Sequence, residues 1–202
     1  MRILLLSNLL LILISCRAGV SNNPQSGEKF VIGKFNGRPI TVIASVKEDD
    51  DFLYPEIFIG DDKIYKDSST TLYNLKGTEN QIISLKNSTN QFYILLETLD
   101  PPKEDKWVIL EIKDNKVIAN HKVIKQYLKD IDNDGYIEVG GFEISEAYCT
   151  DCDSAYYNPA QIYKLADKLQ FDQSASEIVT KEVYGVYLGN KQSNKILKVI
   201  KK

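Results

Sequence analysis

Residues 130–141 read DIDNDGYIEVGG. Asp130, Asp132 and Asp134 stand at alternate positions, Gly135 follows, and Glu138 comes three residues after the glycine. Carboxylates at this spacing in a tight bend point at a common centre, where they can hold a hard divalent cation. Calcium accepts roughly six to eight oxygens in flexible geometry, so these carboxylates, one backbone carbonyl and water suffice. Gly135 supplies the permissive backbone of the sharp turn. Tyr136 would donate its main-chain carbonyl, which leaves its side chain free to vary. The expected ligands are therefore Asp130, Asp132, Asp134, Tyr136 and Glu138, and the expected cofactor is a structural calcium. Zinc prefers nitrogen or sulfur ligands, which the stretch lacks. A solvated acidic turn uses the same residue types, because Asp, Asn and Gly favour turns in any case. Three carboxylates at alternate positions repel one another without a cation, and that tips the reading toward an ion.

An EF-hand requires a bidentate glutamate at the twelfth loop position, where this chain has Gly141. The flanks, 123–128 and 137–142, read as strands and not as helices. The spacing D-x-D-x-D-G-x-x-E instead resembles the calcium loop of integrin-type β-propeller repeats, which joins two antiparallel strands. That family usually ends the motif on aspartate, where Glu138 stands here. Such propellers carry several copies and this chain has one, so the resemblance implies the loop and not a whole propeller.

Other reactive side chains are sparse. Cys149 and Cys152 form C-T-D-C, without the second ligand pair that a structural zinc site needs. The aspartates around them raise a thiol pKa, which disfavours a redox role. A local disulfide between them is the expectation for an exported chain. His121 is the single histidine and has no Ser or Cys partner in sequence. No G-x-S-x-G, H-E-x-x-H or Gly-rich phosphate loop occurs, so no catalytic residues are assigned. A carboxylate pair among the 28 acidic residues remains the one route to a hydrolase. Tyr148, Tyr156, Tyr157 and Tyr163 can line a binding face or serve as half-buried strand packing.

The compartment decides whether calcium is at hand. The chain opens MRILLLSNLLLILISC. One basic residue precedes an apolar run shorter than the roughly 20 residues that span a bilayer, the pattern of an export signal. Leu13, Ile14, Ser15 and Cys16 resemble the bacterial lipobox, cut just before the cysteine. The resemblance implies a lipoprotein with a diacylglycerol and palmitate-type acyl chains on Cys16, enough for stable anchoring. Arg17 stands where an inner-membrane retention aspartate is usual, which favours the outer membrane. Residues 17–28 (RAGVSNNPQSGE) read as a flexible tether. The organisation expected is a signal at 1–15, a lipidated tether at 16–28 and one β-rich domain at 29–202. The formal charge of −3 and the lack of a basic stripe exclude a nucleic-acid partner. The partners expected are the membrane, through the lipid, and an envelope protein or glycan.

The elements that must position the acidic bend are short strands joined by tight turns. Strands at 30–35 and 39–46 flank Asn36-Gly37, and strands at 52–59 and 63–65 flank Gly60-Asp61-Asp62, both hairpin signals. Further strands fall at 71–75, 81–85 and 91–97, then at 107–112 and 117–127 around Asp114-Asn115-Lys116. A strand at 136–144 follows the acidic bend, and strands at 161–165 and 168–171 follow it. Asp172 can cap a helix over 173–183, with Glu177 near its first turn. Strands at 186–188 and 196–200 close the chain. The fold class is mainly β with antiparallel strands, as a sandwich, a barrel or propeller-like blades, plus one helix. Two function classes follow. The first is a non-enzymatic binding module of the envelope, including an inhibitor or immunity protein against a toxin or lysozyme-like enzyme. The second is a hydrolase using a carboxylate pair.

Overall fold

The structure is a computed structural model that describes residues 27–46, 51–76, 82–85, 88–99, 104–143 and 154–199. Local chemistry sets its hairpins. Strands β1 (Glu28–Phe35) and β2 (Arg38–Val46) turn at Asn36-Gly37, both at positive φ, as a two-residue hairpin of this type demands. β8 (Lys106–Lys113) and β9 (Lys116–Ile124) turn in the same way at Asp114-Asn115. β3 (Asp51–Ile59) and β4 (Asp62–Lys66) form a third hairpin.

With β5 (Leu72–Asn74), β6 (Ile82–Ser84) and β7 (Gln91–Leu99), these strands make a nine-stranded antiparallel sheet. Its path runs β1-β2-β3-β5-β7-β8-β9, with β4 added to β3 and β6 to β7. The sheet does not close into a barrel. A second sheet has the order β10-β11-β13-β14, from β10 (Tyr127–Lys129), β11 (Glu138–Gly141), β13 (Gln161–Leu165) and β14 (Leu169–Phe171). β12 (Ser154–Tyr157) and β15 (Ser193–Lys198) pair as a separate ribbon. The single helix among the described residues, α1 (Gln173–Tyr184), packs Ala175 and Val179 on Ala160 and Ile162 beside the second sheet. No helix among the described residues is long and apolar enough to cross a membrane.

The sheets meet because β7 and β8 are apolar on both faces. Phe92, Ile94 and Leu96 join Val108, Leu110 and Ile112 in the core inside the large sheet. Tyr93, Leu95, Trp107 and Ile109 point the other way and meet Val139 and Leu165 of the second sheet. A continuous apolar run in a short strand is the pattern of burial on both sides. Each such side chain contributes about 1.5–3 kcal/mol of transfer free energy, so the second sheet is a full layer of the fold. Polar contacts fix its position. The Tyr93 hydroxyl donates to the Ala166 carbonyl at 2.8 Å, and Gln91 Nε2 donates to the Asp167 carbonyl, at the β13–β14 turn.

The mainly β, antiparallel expectation holds, and four details change. The stretch expected as one strand over 117–127 is two strands in two sheets, β9 and β10, broken at Lys125-Gln126. The strand expected over 136–144 is regular only at Glu138–Gly141, because the acidic bend extends through Ile137. Residues 186–188 form no strand, and β15 lies earlier than expected, paired with the unforeseen β12. Glu177 sits beyond the first turn of α1, where it accepts from Lys181 at 2.5 Å.

Candidate metal centre

The acidic bend connects β10 to β11 as the tip of an antiparallel hairpin. Lys129 pairs with Glu138, Leu128 with Val139 and Tyr127 with Gly140. β13 lies along the other side of β11 and sets Lys164 opposite Glu138. This second pairing needs a glycine in β11. Gly140 has φ +147°, and a Cβ there would sit 2.0 Å from the Gln161 carbonyl oxygen. Gln126 then serves as a short substitute strand: Phe142 N–H donates to its Oε1 at 2.8 Å, and its Nε2 donates to the Phe142 carbonyl at 3.2 Å.

Within the bend, backbone N–H groups hold the aspartates. Gly135 N–H donates to Asp130 Oδ2 at 3.0 Å, Asp134 N–H to Asp132 Oδ1 at 3.3 Å, and Tyr136 N–H to Asp134 Oδ1 at 2.9 Å. Asn133 and Gly135 have φ of 62° and 87°, the left-handed conformation that Asn and Gly tolerate best. As a result, one carboxylate oxygen from each of Asp130, Asp132, Asp134 and Glu138 lies within 4.8 Å of the others. These four residues form an acidic cluster able to hold a metal ion. Tyr136 is on the same bend, and Lys164 Nζ lies 5.5 Å from the centre of its ring.

Glu138 is the most informative member. It is fully buried. Its Oε2 accepts from Ile131 N–H at 2.6 Å, while its buried Oε1 has no hydrogen-bond partner. Asp130 Oδ1 is also buried without a partner. Buried polar atoms are rarely left unpaired, and an unpaired carboxylate oxygen is costlier than a neutral group. Burial pushes the Glu138 carboxyl up to about 7; the Ile131 hydrogen bond opposes this, and the charges of Asp132, Asp134 and Asp172 reinforce it. Even at the 4.8 Å outer limit of this cluster, two carboxylates repel by roughly 3–4 kcal/mol at an effective dielectric near 20.

Lys164 offsets part of this charge. It pairs with Asp134 Oδ2 and lies 2.9 Å from Asp172 Oδ2. Its hydrogen bond to Asp134 holds its pKa above the ordinary lysine value, against the pull of burial. Asp172 in turn caps α1, accepting from Ala175 N–H at 3.0 Å. One lysine thus ties the acidic bend to the start of the helix, yet it cannot neutralise four carboxylates. The sequence gives no local sign of Lys164 or of Asp172 as a neighbour of the bend, since only the β11–β13 register brings them there.

The remaining sequence candidates lie elsewhere. Cys16, Cys149, Cys152 and Tyr148 lie outside the described residues. His121 sits within β9 opposite Ile109, with Nε2 buried and unpartnered. Among the other tyrosines, Tyr157 is fully buried, Tyr163 is partly buried against Phe171 and only Tyr156 is exposed, so they form no common face. No protein-family model, no curated protein and no solved structure matches the chain.

Proposed function

We propose that the bend at 130–138 is a structural calcium site, and that the chain is a lipid-anchored, non-enzymatic binding module of the cell envelope. The observation that carries the metal reading is the buried, unpartnered Oε1 of Glu138 within a cluster of three aspartates. A cation at the centre satisfies that oxygen and Asp130 Oδ1 together, and removes the mutual repulsion. Calcium fits by size: ligand oxygens at about 2.4 Å from the ion are at most about 4.8 Å apart, the span that encloses these four. The ion's role is to pin the β10–β11 hairpin, with Tyr136 adding its carbonyl.

The anchoring reading rests on the residues up to Cys16, and the tether on those between Cys16 and the start of β1 at Glu28. The lipid would hold the domain to the membrane, the outer one where the cell has two, and leave the β layers free to meet an envelope protein or glycan. Against the hydrolase alternative, the two carboxylates that burial pushes up, Glu111 and Glu138, are both buried, out of reach of a substrate oxygen.

The test is thermal melting with and without calcium. At tenfold excess over Kd, calcium should stabilise the domain by about 1.4 kcal/mol. That corresponds to roughly 3–6 °C in Tm for a domain of this size. Asp132→Ala with Asp134→Ala should erase the rise. Identical melting in chelator and in calcium contradicts the metal reading. For the anchor, Cys16→Ala should abolish labelling by a fatty-acid probe; unchanged labelling contradicts it.

A further inference from the structure

A second location in the molecule combines backbone strain, a β-bulge and an open cleft. Strand β3 changes partner along its length. Asp51 and Phe52 pair with β5, and from Glu56 onward the strand pairs with β4. Between these segments Tyr54 has φ +54°. Such a conformation brings Cβ against the backbone, and for a bulky residue it is a true outlier. Glycine adopts it without penalty. The partner switch therefore accounts for a kink at this position but not for a tyrosine. In the β2–β3 register Ile43 faces Glu56 and Ser45 faces Leu53, so Tyr54 and Pro55 together oppose Ala44 in a β-bulge of the kind that re-aims side chains beside binding sites.

Tyr54 is 40% exposed, and it lines a cleft of about 620 Å³ together with Ile43, Ser45, Glu56, Lys66 and Ser68. That volume falls within the roughly 300–1,000 Å³ of small-ligand sites. Glu56 Oε1 lies 3.0 Å from Lys66 Nζ and 3.5 Å from Lys63 Nζ. The Lys66 amine holds the Glu56 carboxyl below the usual range, so it is an ionised acceptor at neutral pH.

This lining sets requirements on an occupant. Tyr54 and Ile43 ask for an apolar face, Glu56 asks for hydroxyl donors, Lys66 asks for acceptors, and the two serines serve either role. A hydrocarbon tail would strip water from the Glu56–Lys66 pair without replacing its hydrogen bonds. A polyanion would meet the Glu56 charge. A sugar ring presents C–H faces and a rim of hydroxyls, and so meets all of these requirements at once. We propose that this cleft binds a neutral saccharide, with Tyr54 as the ring platform and Glu56 and Lys66 as hydroxyl partners. The strained tyrosine is then a residue kept for binding at the expense of backbone ease.

The cleft shares no residue with the acidic bend, so failure of the calcium titration leaves this inference standing. Calorimetric titration of the full chain with maltotriose, cellotriose and chitotriose tests it. At least one trisaccharide should bind at a single site. Tyr54→Gly should weaken that binding roughly tenfold or more while melting no lower than the parent protein. Tyr54→Phe should bind within roughly twofold of the parent, and Glu56→Gln should lose roughly tenfold. Binding of none of the three trisaccharides overturns the inference. Equal binding by Tyr54→Gly, or a Tyr54→Gly protein that melts well below the parent, overturns it as well.

Discussion

Glu138→Gln should stabilise the metal-free protein and abolish its response to calcium. The exchange keeps the shape of the side chain. The new amide can still accept from Ile131 N–H through its oxygen, and it puts no charge in the buried position of Oε1. The energy gained is the penalty that the parent carboxylate carries. Its pKa rises from the ordinary 4.5 to about 7 in the metal-free fold. At 1.36 kcal/mol per unit this bounds the penalty at about 3 kcal/mol, less whatever water at the exposed rim of the bend screens. The folded state holds the proton more tightly than the unfolded chain does, so the penalty grows between pH 4.5 and about 7 and is complete above that. In chelator at pH 8, the Gln protein should melt above the parent by up to roughly 6–12 °C. At pH 4.5 this advantage should vanish. In saturating calcium the order should reverse, because calcium uses the ionised carboxylate. Paired melting curves across pH, in chelator and in calcium, measure all of this. A Gln protein less stable than the parent in chelator at pH 8 would refute the argument that Oε1 is held at a loss.

Gly140→Ala should be among the most damaging small substitutions, because its Cβ would meet the Gln161 carbonyl at 2.0 Å. Separation of β11 from β13 follows, and urea unfolding should show a loss of at least about 3 kcal/mol. Asp172→Ala removes the Ala175 cap and one partner of Lys164, and should lower stability by about 1–2 kcal/mol in the same assay. Lys164→Met removes the cation paired with Asp134 and should lower Tm further in chelator than in calcium; equal losses in the two conditions would count against its offsetting role.

The hairpins and the acidic bend were legible in the sequence because their determinants are local. Asn36-Gly37 and Asp114-Asn115 combine residues that accept positive φ, and flanking alternation then leaves little choice of pairing. The four carboxylates lie within nine consecutive residues, so their convergence needs only the turn at Gly135. The Asp172 cap was readable for the same reason. What escaped the sequence depends on distant partners. The strand expected over 117–127 breaks because Gln126 donates its N–H to the Gly140 carbonyl and engages Phe142 with its side chain, contacts that no window around residue 126 contains. The β12–β15 ribbon sets Tyr156 against Ile196, and Lys164 reaches the bend only through the β11–β13 register. The bland look of Tyr54 in sequence hides a conformation set by a change of strand partner.

Strands β7 and β8 act as a shared wall, with one set of residues facing each layer. If the smaller layer peeled away, Tyr93, Leu95, Trp107 and Ile109 would be left bare on an apolar strand surface, the kind of face on which chains stick to one another. An ion that locks the β10–β11 hairpin would therefore do more than steady a bend. It would act as a latch against clumping.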